Sequence, residues 1–337
     1  MIQNNIPERK INTLSEFVDN ASHIIFGNPL VTKQEDVRQK KRPSRIKESP
    51  ITGKITELYV SKSLAKQLQY QGNPKPICPY KIYHMELLRD ITVSPSDPMV
   101  KGLYFESKTI GMSAGGGGTY DLPRHRTTGD KLVDHVRIDN AVDRFFEVSK
   151  ELGMIIDPKY TQVHNRLKWI DETRNWDIDI FMEGTSDIFS PIHTPNYQFD
   201  VINIDLKLTK DRDSTFPPFG WGDTSNIDFF EAMIYRVLFE LPFMYLIFDY
   251  RKDNPGYKDI PVVTDVNDSD PQRALKASNR MRDLWQTIRW IAGSIQMWEA
   301  EGWKKDPSFH EFLGKPVTPC KDCPIYDCEE RSKTEPV

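Results

Sequence analysis

The chain has 337 residues, a formal net charge of −4 and a hydrophobic fraction of 38%, which is enough apolar material for one large domain or two. The acidic balance argues against a protein that coats DNA through an overall positive field, but not against an enzyme with a local basic groove. The longest apolar run, residues 241–248, is far too short to span a bilayer, and the first ten residues lack the apolar core of a secretory signal. We therefore expect a soluble, cytoplasmic protein without a membrane partner.

The first half of the chain is predicted to begin as an extended or weakly ordered segment, residues 1–55, and to continue as a helical segment, residues 56–158. In that segment, the spacing of apolar side chains predicts helices at residues 58–71, 100–110 and 130–152. The last of these helices is expected to bury Val133, Val136, Val142, Phe145, Phe146 and Leu152. Four consecutive glycines at positions 115–118 predict a flexible loop, because they lack the Lys-Ser/Thr pair of a phosphate-binding P-loop.

The second half is predicted to contain the core sheet, residues 159–255, and a C-terminal segment, residues 256–337. Three successive strand patterns predict a β-meander, at residues 163–170, 177–189 and 201–209. A helix at 226–241 leads to an apolar stretch at 243–250, whose lack of alternation is typical of a buried strand. The C-terminal segment combines a long helix, residues 270–301, with a cysteine cluster. The predicted fold class is therefore α/β.

In the strand at residues 201–209, polar and apolar side chains alternate. Its apolar face consists of Ile202, Ile204, Leu206 and Leu208, and its polar face of Asn203, Asp205, Lys207 and Thr209. Asp205 and Lys207 therefore lie roughly 7 Å apart on one face, since each strand residue rises about 3.3 Å. An acid and a lysine at this spacing suit metal-assisted phosphodiester cleavage, but any half-exposed strand can carry such a pair.

Two further carboxylates are candidates for the same site. If the strand at 177–189 pairs with the strand that carries Asp205, then Asp187 and Asp205 converge on one cation. Gly184 would allow a ligand or a neighbouring backbone to approach closely. Mg²⁺ and Mn²⁺ prefer hard oxygen ligands and keep several waters, so two or three carboxylates suffice. Glu106 would be the third, although sequence spacing does not establish that it lies nearby.

The four cysteines form the most specific pattern in the chain. Cys320, Cys323 and Cys328 follow a C-x2-C-x4-C spacing, while Cys78, followed by Pro79, lies far upstream. In an intracellular protein this set indicates metal or cluster ligation rather than a disulfide framework. Four thiolates suit either zinc or an iron–sulfur cluster, and the spacing leaves both open.

Taken in order, the motifs of the chain resemble those of the iron–sulfur branch of the PD-(D/E)XK nuclease superfamily. This branch includes CRISPR-associated RecB-like exonucleases, the AddB nuclease domain and phage relatives. The similar motifs are Val60-Ser61-x-Ser63, Cys78-Pro79-x-Lys81, Gly102-x-x-Phe105-Glu106, Gly184-x-x-Asp187, Asp205-Leu206-Lys207, Glu231-Ala232-Met233-Ile234-Tyr235, and the cysteines Cys320, Cys323 and Cys328. Each motif is weak alone, but together they run in order from residue 60 to residue 328 and include every cysteine.

The resemblance implies a restriction-endonuclease-like core, which is a mixed central sheet flanked by helices. It also implies a structural 4Fe–4S cluster that clips the C-terminal segment onto the N-terminal helices. The implied cluster ligands are Cys78, Cys320, Cys323 and Cys328. The implied ligands of one or two Mg²⁺ or Mn²⁺ ions are Glu106, Asp187, Asp205 and the backbone carbonyl of Leu206. Lys207 would position the attacking water or stabilise the transition state, and Tyr235 and Glu231 would contact the substrate.

The activity implied by the resemblance is that of a metal-dependent deoxyribonuclease. We expect an exonuclease that acts on single-stranded DNA or DNA ends, with a partner from recombination, from a helicase complex or from CRISPR adaptation. Its location would be the cytoplasm, or the host cytoplasm if a phage encodes it.

Glu231 departs from the family pattern, because relatives usually carry Gln at this position. Glu231 and Tyr235 are four residues apart and share a helix face, so the geometry of the motif is kept. A carboxylate there would repel a phosphate unless it pairs with a cation such as Lys207. This departure keeps one alternative open, a catalytically decayed DNA-end-binding protein or scaffold of the same fold. The four thiolates keep a second one open, a zinc-clipped variant.

Overall fold

A mixed seven-stranded β-sheet flanked by helices forms the centre of the protein. The computed structural model describes residues 44–68, 78–91, 95–111, 121–171, 176–215, 221–222, 229–302 and 328. The predicted α/β class, with a mixed sheet between helices, is confirmed. The glycine run at 115–118 and two of the four cysteines, Cys320 and Cys323, lie outside the described residues.

The strands are β1 (Ile46–Glu48), β2 (Ile55–Ser61), β3 (Thr161–Trp169), β4 (Asp179–His193), β5 (Gln198–Thr209), β6 (Phe243–Asp249) and β7 (Tyr257–Val262). Their order across the sheet is β1-β2-β4-β5-β6-β7, and β3 also pairs with β4. The antiparallel pairs β3–β4 and β4–β5 confirm the predicted meander. The pairs β2–β4 and β5–β6 are parallel, which makes the sheet mixed.

Five helices surround the sheet in the described residues: α1 (Lys62–Gln67), α2 (Asp97–Thr109), α3 (Val133–Glu151), α4 (Phe230–Phe239) and α5 (Pro271–Ala300). A short helical turn, Pro79–Lys81, continues as a π-helix, Ile82–Leu88, and a 3₁₀ turn, Pro158–Tyr160, precedes β3. Within the described residues, no helix is both long and apolar enough to cross a membrane.

Each face of the sheet carries its own hydrophobic core. Helices α4 and α5 cover one face, and helices α2 and α3 cover the other. Strand β6 is buried along its whole length, because Tyr245 and Ile247 enter the first core while Met244 and Leu246 enter the second. Burial on both sides is the physical reason for the unbroken apolar sequence of this strand.

The prediction of a helix at residues 58–71 is wrong for its first turn, residues 58–61. This stretch continues as β2 as far as Ser61, and helix α1 begins only at Lys62. Strand β2 pairs with both β1 and β4, and these contacts outweigh the helical spacing of the local sequence. Ser61 then caps α1, since its side chain accepts a hydrogen bond from the backbone N–H of Leu64 at 3.4 Å.

The buried face of α3 also differs in part from its prediction. Phe145 and Leu152 are buried as predicted, whereas Val133, Val136 and Phe146 are exposed. The stripe of α3 that packs on the sheet consists of Ile138, Ala141, Phe145 and Val148. This spacing fits one face of a helix, and it turns the other three side chains toward solvent.

Strands β4 and β5 diverge in the middle of the sheet. Their pairing ends at Ile188 and Ile204. Beyond this pair, the N-terminal part of β4 pairs with β2, while β5 continues along β6. We call the gap between the two diverging strands the fork. Helix α1 begins beside it, because β2 ends at Ser61 opposite Glu183 of β4.

Candidate functional site

Asp187 lies in the fork, where its side chain replaces a hydrogen bond between the backbones of neighbouring strands. Its Oδ2 accepts a hydrogen bond from the backbone N–H of Leu206 at 2.8 Å. The divergence of the strands would otherwise leave this N–H without its usual partner. Because the N–H and C=O of one strand residue point to the same edge, the carbonyl of Leu206 is also directed into the fork. The strand geometry thus brings Asp187 next to Leu206 and its neighbour Asp205.

Gln162 connects Glu106, which comes from α2, to Asp187. The side-chain amide of Gln162 donates to Oε1 of Glu106 at 2.6 Å and to Oδ1 of Asp187 at 3.2 Å. Gln162 has a φ of 52°, and a non-glycine residue in this left-handed region carries backbone strain that often marks a functional site. The third carboxylate of the prediction is therefore brought to the fork, although it comes from a distant helix.

Asp205 belongs to a ring of four alternating charges on the α4 side of the sheet. Its carboxylate forms an ion pair with Lys207 and lies 3.3 Å from Nζ of Lys62. Glu231, in the first turn of α4, forms an ion pair with Lys62 and lies 3.5 Å from Nζ of Lys207. We call these four side chains the ion-pair ring. Its lysines are the cations that compensate the charge of Glu231.

Burial determines the ionisation of the two aspartates. Asp187 and Asp205 are only 8% and 1% exposed. Burial raises the pKa of Asp187 well above its usual value, and the negative charges of Asp205 and Glu106 add to this rise. Burial also raises the pKa of Asp205, with a further contribution from Glu231. The fork therefore holds more negative charge than its surroundings compensate.

The other members of the ion-pair ring stay charged. Burial alone would raise the pKa of Glu231, but Lys207 and Lys62 hold it well below the usual range. Burial alone would lower the pKa of Lys62 and of Lys207, but Asp205 and Glu231 raise both above their usual values. Glu231 is therefore a carboxylate and both lysines are ammonium groups at neutral pH.

The donor types around the fork are those that a hard divalent cation prefers. Glu106, Asp187, Asp205 and Glu231 outnumber the two lysines, so the site carries a net charge of −2 when all six groups are ionised. A divalent cation would neutralise this excess, and carboxylate and carbonyl oxygens are the ligands that Mg²⁺ and Mn²⁺ prefer. Within the described residues, no group of three or more His, Cys, Asp or Glu side chains is arranged so that it could hold a metal ion.

Tyr235 supports the site from within the protein. It is 1% exposed, and its hydroxyl donates to the backbone carbonyl of Thr185 at 2.9 Å. Its ring stacks on Phe243, and Nζ of Lys62 lies 5.2 Å from the ring centroid. Tyr235 thereby ties α4 to β4 next to the fork. Contact of Tyr235 or Glu231 with a substrate stays a prediction.

The cysteine prediction is only partly covered by the described residues. Cys78 is half-buried and precedes the helical turn Pro79–Lys81. Cys328 is also half-buried, whereas Cys320 and Cys323 lie outside the described residues. Ligation of a cluster by these four side chains therefore stays a prediction.

Sequence reasoning missed two residues of the site, Lys62 and Gln162. Lys62 is the variable position of the Val60-Ser61-x-Ser63 motif, so its place beside a matching motif was a signal that could have found it. Gln162 has no such signal, because its role depends on a backbone conformation and on contacts to two distant carboxylates.

Comparison with known proteins adds no functional information to the geometry of the site. No protein-family model matches the chain, and a search of curated proteins gives no match.

Proposed function

We propose that the protein is a metal-dependent deoxyribonuclease, an exonuclease that hydrolyses phosphodiester bonds in single-stranded DNA or at DNA ends. Two linked observations carry this proposal: Gln162 joins Glu106 to Asp187 at the fork, and Asp187 binds the backbone N–H of Leu206, next to Asp205 and its ion-pair partner Lys207. Three carboxylates with an excess of negative charge and a neighbouring lysine are a suitable set for metal-assisted phosphodiester cleavage.

The proposed roles of the residues follow from their positions. Glu106, Asp187, Asp205 and the carbonyl of Leu206 would hold one or two Mg²⁺ or Mn²⁺ ions. When bound, such an ion supplies Lewis acidity and lowers the pKa of a coordinated water. Lys207, whose side chain is 27% exposed, would place its positive charge against the phosphoryl oxygens as negative charge develops on them. The ion pair with Asp205 keeps Lys207 protonated for this role.

The fold is compatible with the proposed family. A restriction-endonuclease-like core is a mixed central sheet flanked by helices, and the chain has such a sheet. The motif residues also occupy connected elements, with Glu106 on α2, Asp187 on β4, Asp205 on β5 and Glu231 on α4. We include the restriction-endonuclease-like fold in the proposal on this basis.

The proposal includes a structural 4Fe–4S cluster on Cys78, Cys320, Cys323 and Cys328. Hydrolysis requires no electron transfer, so the cluster would contribute folding free energy rather than chemistry. A zinc ion on the same thiolates is the alternative that metal analysis and absorption spectra distinguish. A partner in recombination, in a helicase complex or in CRISPR adaptation belongs to the same proposal.

The test of the proposed function is Asp205→Asn. This variant keeps the shape of the side chain but removes the charge that would bind the metal, so we expect cleavage to fall by about a hundredfold or more. The assay uses end-labelled linear and circular single-stranded DNA and linear duplex DNA, with Mg²⁺ or Mn²⁺, and protein purified without oxygen. Degradation of linear but not circular DNA would establish exonuclease action.

A matched control is Asp200→Asn, which makes the same change at an exposed position of the same strand. It should cleave at the wild-type rate. Equal cleavage by Asp205→Asn and wild type would contradict the site assignment. A wild-type protein that binds DNA ends without cleaving them would instead support the catalytically decayed alternative.

A further inference from the structure

A second lysine, Lys62, reaches the proposed catalytic strand from a different part of the chain. It is the first residue of α1, and its Nζ contacts Glu231 and lies 3.3 Å from Oδ1 of Asp205. Lys207 approaches the opposite oxygen of the same aspartate. The side chains of Asp205 and Glu231 are only 2% and 14% exposed, so each carboxylate depends on nearby cations for its charge compensation.

The backbone around Lys62 is held by several contacts. The preceding residue, Ser61, caps α1 and ends a strand that pairs with β4. The following residue, Ser63, accepts a hydrogen bond from Arg45 at 2.7 Å, and Arg45 also forms an ion pair with Glu86. These contacts hold the backbone of Lys62 beside the ion-pair ring, where its ammonium group contacts Glu231.

The ring geometry shows what Lys62 does for Lys207. Glu231 lies nearer to Lys62 than to Lys207, whose Nζ is 3.5 Å away. Without Lys62, Lys207 would be the only cation of the ring facing two buried carboxylates. Coulomb attraction in a poorly solvated site would then draw its ammonium toward Glu231 and away from the open side of the ring.

We propose that Lys62 is a positioning residue, which compensates the charge of Glu231 and thereby leaves Lys207 available to the scissile phosphate. This inference rests on the proposed nuclease function and deepens it. It explains how the chain tolerates a glutamate where similar nucleases usually carry glutamine: the extra negative charge of Glu231 is matched by the extra positive charge of Lys62.

The test is a double-mutant cycle with Lys62→Gln, Glu231→Gln and the variant that carries both changes. Its first measurement is thermal unfolding of the metal-free protein, without DNA. Lys62→Gln leaves a buried carboxylate undercompensated, so we expect its Tm to fall by about 2–4 °C. The double variant removes both charges and should recover most of this loss.

The second measurement is DNA cleavage at a temperature well below the Tm of every variant. We expect Lys62→Gln to lower kcat by about tenfold or more while KM changes by less than about threefold, because the lost interaction acts in the transition state. The double variant should return to within about threefold of the wild-type kcat. Lys62→Arg keeps the charge and should retain most of the activity. A residue with a merely structural role would leave kcat of the folded molecules unchanged.

The matched control is Lys54→Gln, which makes the same change at an exposed position just before β2, away from the ion-pair ring. Its kcat should stay within about twofold of the wild-type value, since the exposed charge is screened by solvent. Wild-type cleavage together with an unchanged kcat in Lys62→Gln, or a double variant that recovers no activity, would overturn the inference alone. A wild-type protein without any cleavage would overturn the proposed function and the inference with it.

Discussion

At the fork, the polar face of strand β5 is buried rather than exposed to solvent. The alternation of β5 predicts a polar face, and a polar face is usually solvated. Here Asn203 and Asp205 are each 1% exposed, because α4 covers this side of the sheet. Asn203 accepts a hydrogen bond from Ser186 at 2.7 Å, and Asp205 is held in the ion-pair ring. Nδ2 of Asn203, however, has no hydrogen-bond partner among the described residues. A buried polar group without a partner is costly, which favours a functional interpretation of the site.

Gly184 has a packing role that a substitution can measure. A Cβ at this position would lie 2.8 Å from Cδ1 of Leu238 and 3.2 Å from Cε1 of Tyr235, both on α4. We therefore expect Gly184→Ala to lower the free energy of unfolding by about 1–3 kcal/mol in urea denaturation. The close approach that the sequence predicts for this glycine is made by side chains of a helix.

Gly102→Ala is the control for this experiment. A Cβ at Gly102, inside α2, would have no atom within 4 Å, and alanine is a better helix former than glycine by about 1 kcal/mol. This substitution should stabilise the protein. Destabilisation of the two variants by the same amount would contradict the packing argument.

At the scale of elements, the packing of α2 on α3 holds Glu106 in place. The Tyr104 hydroxyl of α2 donates to Asp139 of α3 at 2.6 Å and lies 3.1 Å from Nε2 of His135. Since this hydroxyl proton is used on Asp139, Nε2 of His135 must carry a hydrogen and donate to the tyrosine oxygen. Nδ1 of His135 has no hydrogen-bond partner among the described residues, and burial lowers the pKa of this histidine, which favours its neutral form.

This neutral histidine predicts a pH dependence of stability. Burial lowers the pKa of His135 below 6.5, so the unfolded chain binds more protons than the folded one between the two pKa values. By linkage, the folded state loses stability as the pH falls below the unfolded pKa of about 6.5. We expect the Tm of wild type relative to His135→Gln to decrease as the pH is lowered from 8 to 5. A difference that stays constant with pH would contradict the neutral assignment.

At the scale of the whole molecule, the site is assembled from distant parts of the chain. Lys62 and Asp205 are 143 residues apart in sequence, and Lys62 and Glu231 are 169 residues apart. The segment after Cys78 is tied to the same region, because Arg45 hydrogen-bonds to Leu87 and forms an ion pair with Glu86. A cluster that anchors Cys78 would therefore stabilise the region from which Lys62 extends.

Cys78→Ser tests this connection. If the four cysteines hold a 4Fe–4S cluster, the variant should lose the broad absorption near about 400 nm and its bound iron, and its Tm should fall, because ligation contributes folding free energy. Iron and zinc analysis of the wild type comes first. Colourless protein with one zinc per chain would favour the zinc alternative, and a Cys78→Ser variant with full metal content would remove Cys78 from the ligand set.

The sequence by itself determined the features that depend on local patterns. The alternation of β5 correctly separates Ile202, Ile204 and Leu206 from the face that carries Asp205. The helix predicted at residues 270–301 is likewise present as α5, and its period places Leu284, Ile288 and Ile291 on one buried stripe. These predictions succeed because a side chain's face follows from the fixed period of a strand or a helix. The order of the motifs likewise indicated Glu106, Asp187 and Asp205 as candidate metal ligands.

Only the tertiary structure decided which elements meet. Residues 58–61 form a strand because they pair with β1 and β4. Lys62 belongs to the ion-pair ring because this strand ends beside the fork. Gln162 joins two carboxylates from distant elements while its backbone is in the left-handed conformation. Such contacts depend on the pairing and divergence of distant strands, and no local period of the sequence encodes them. The charge balance of the site, with Lys62 matched to Glu231, is therefore a property of the folded chain.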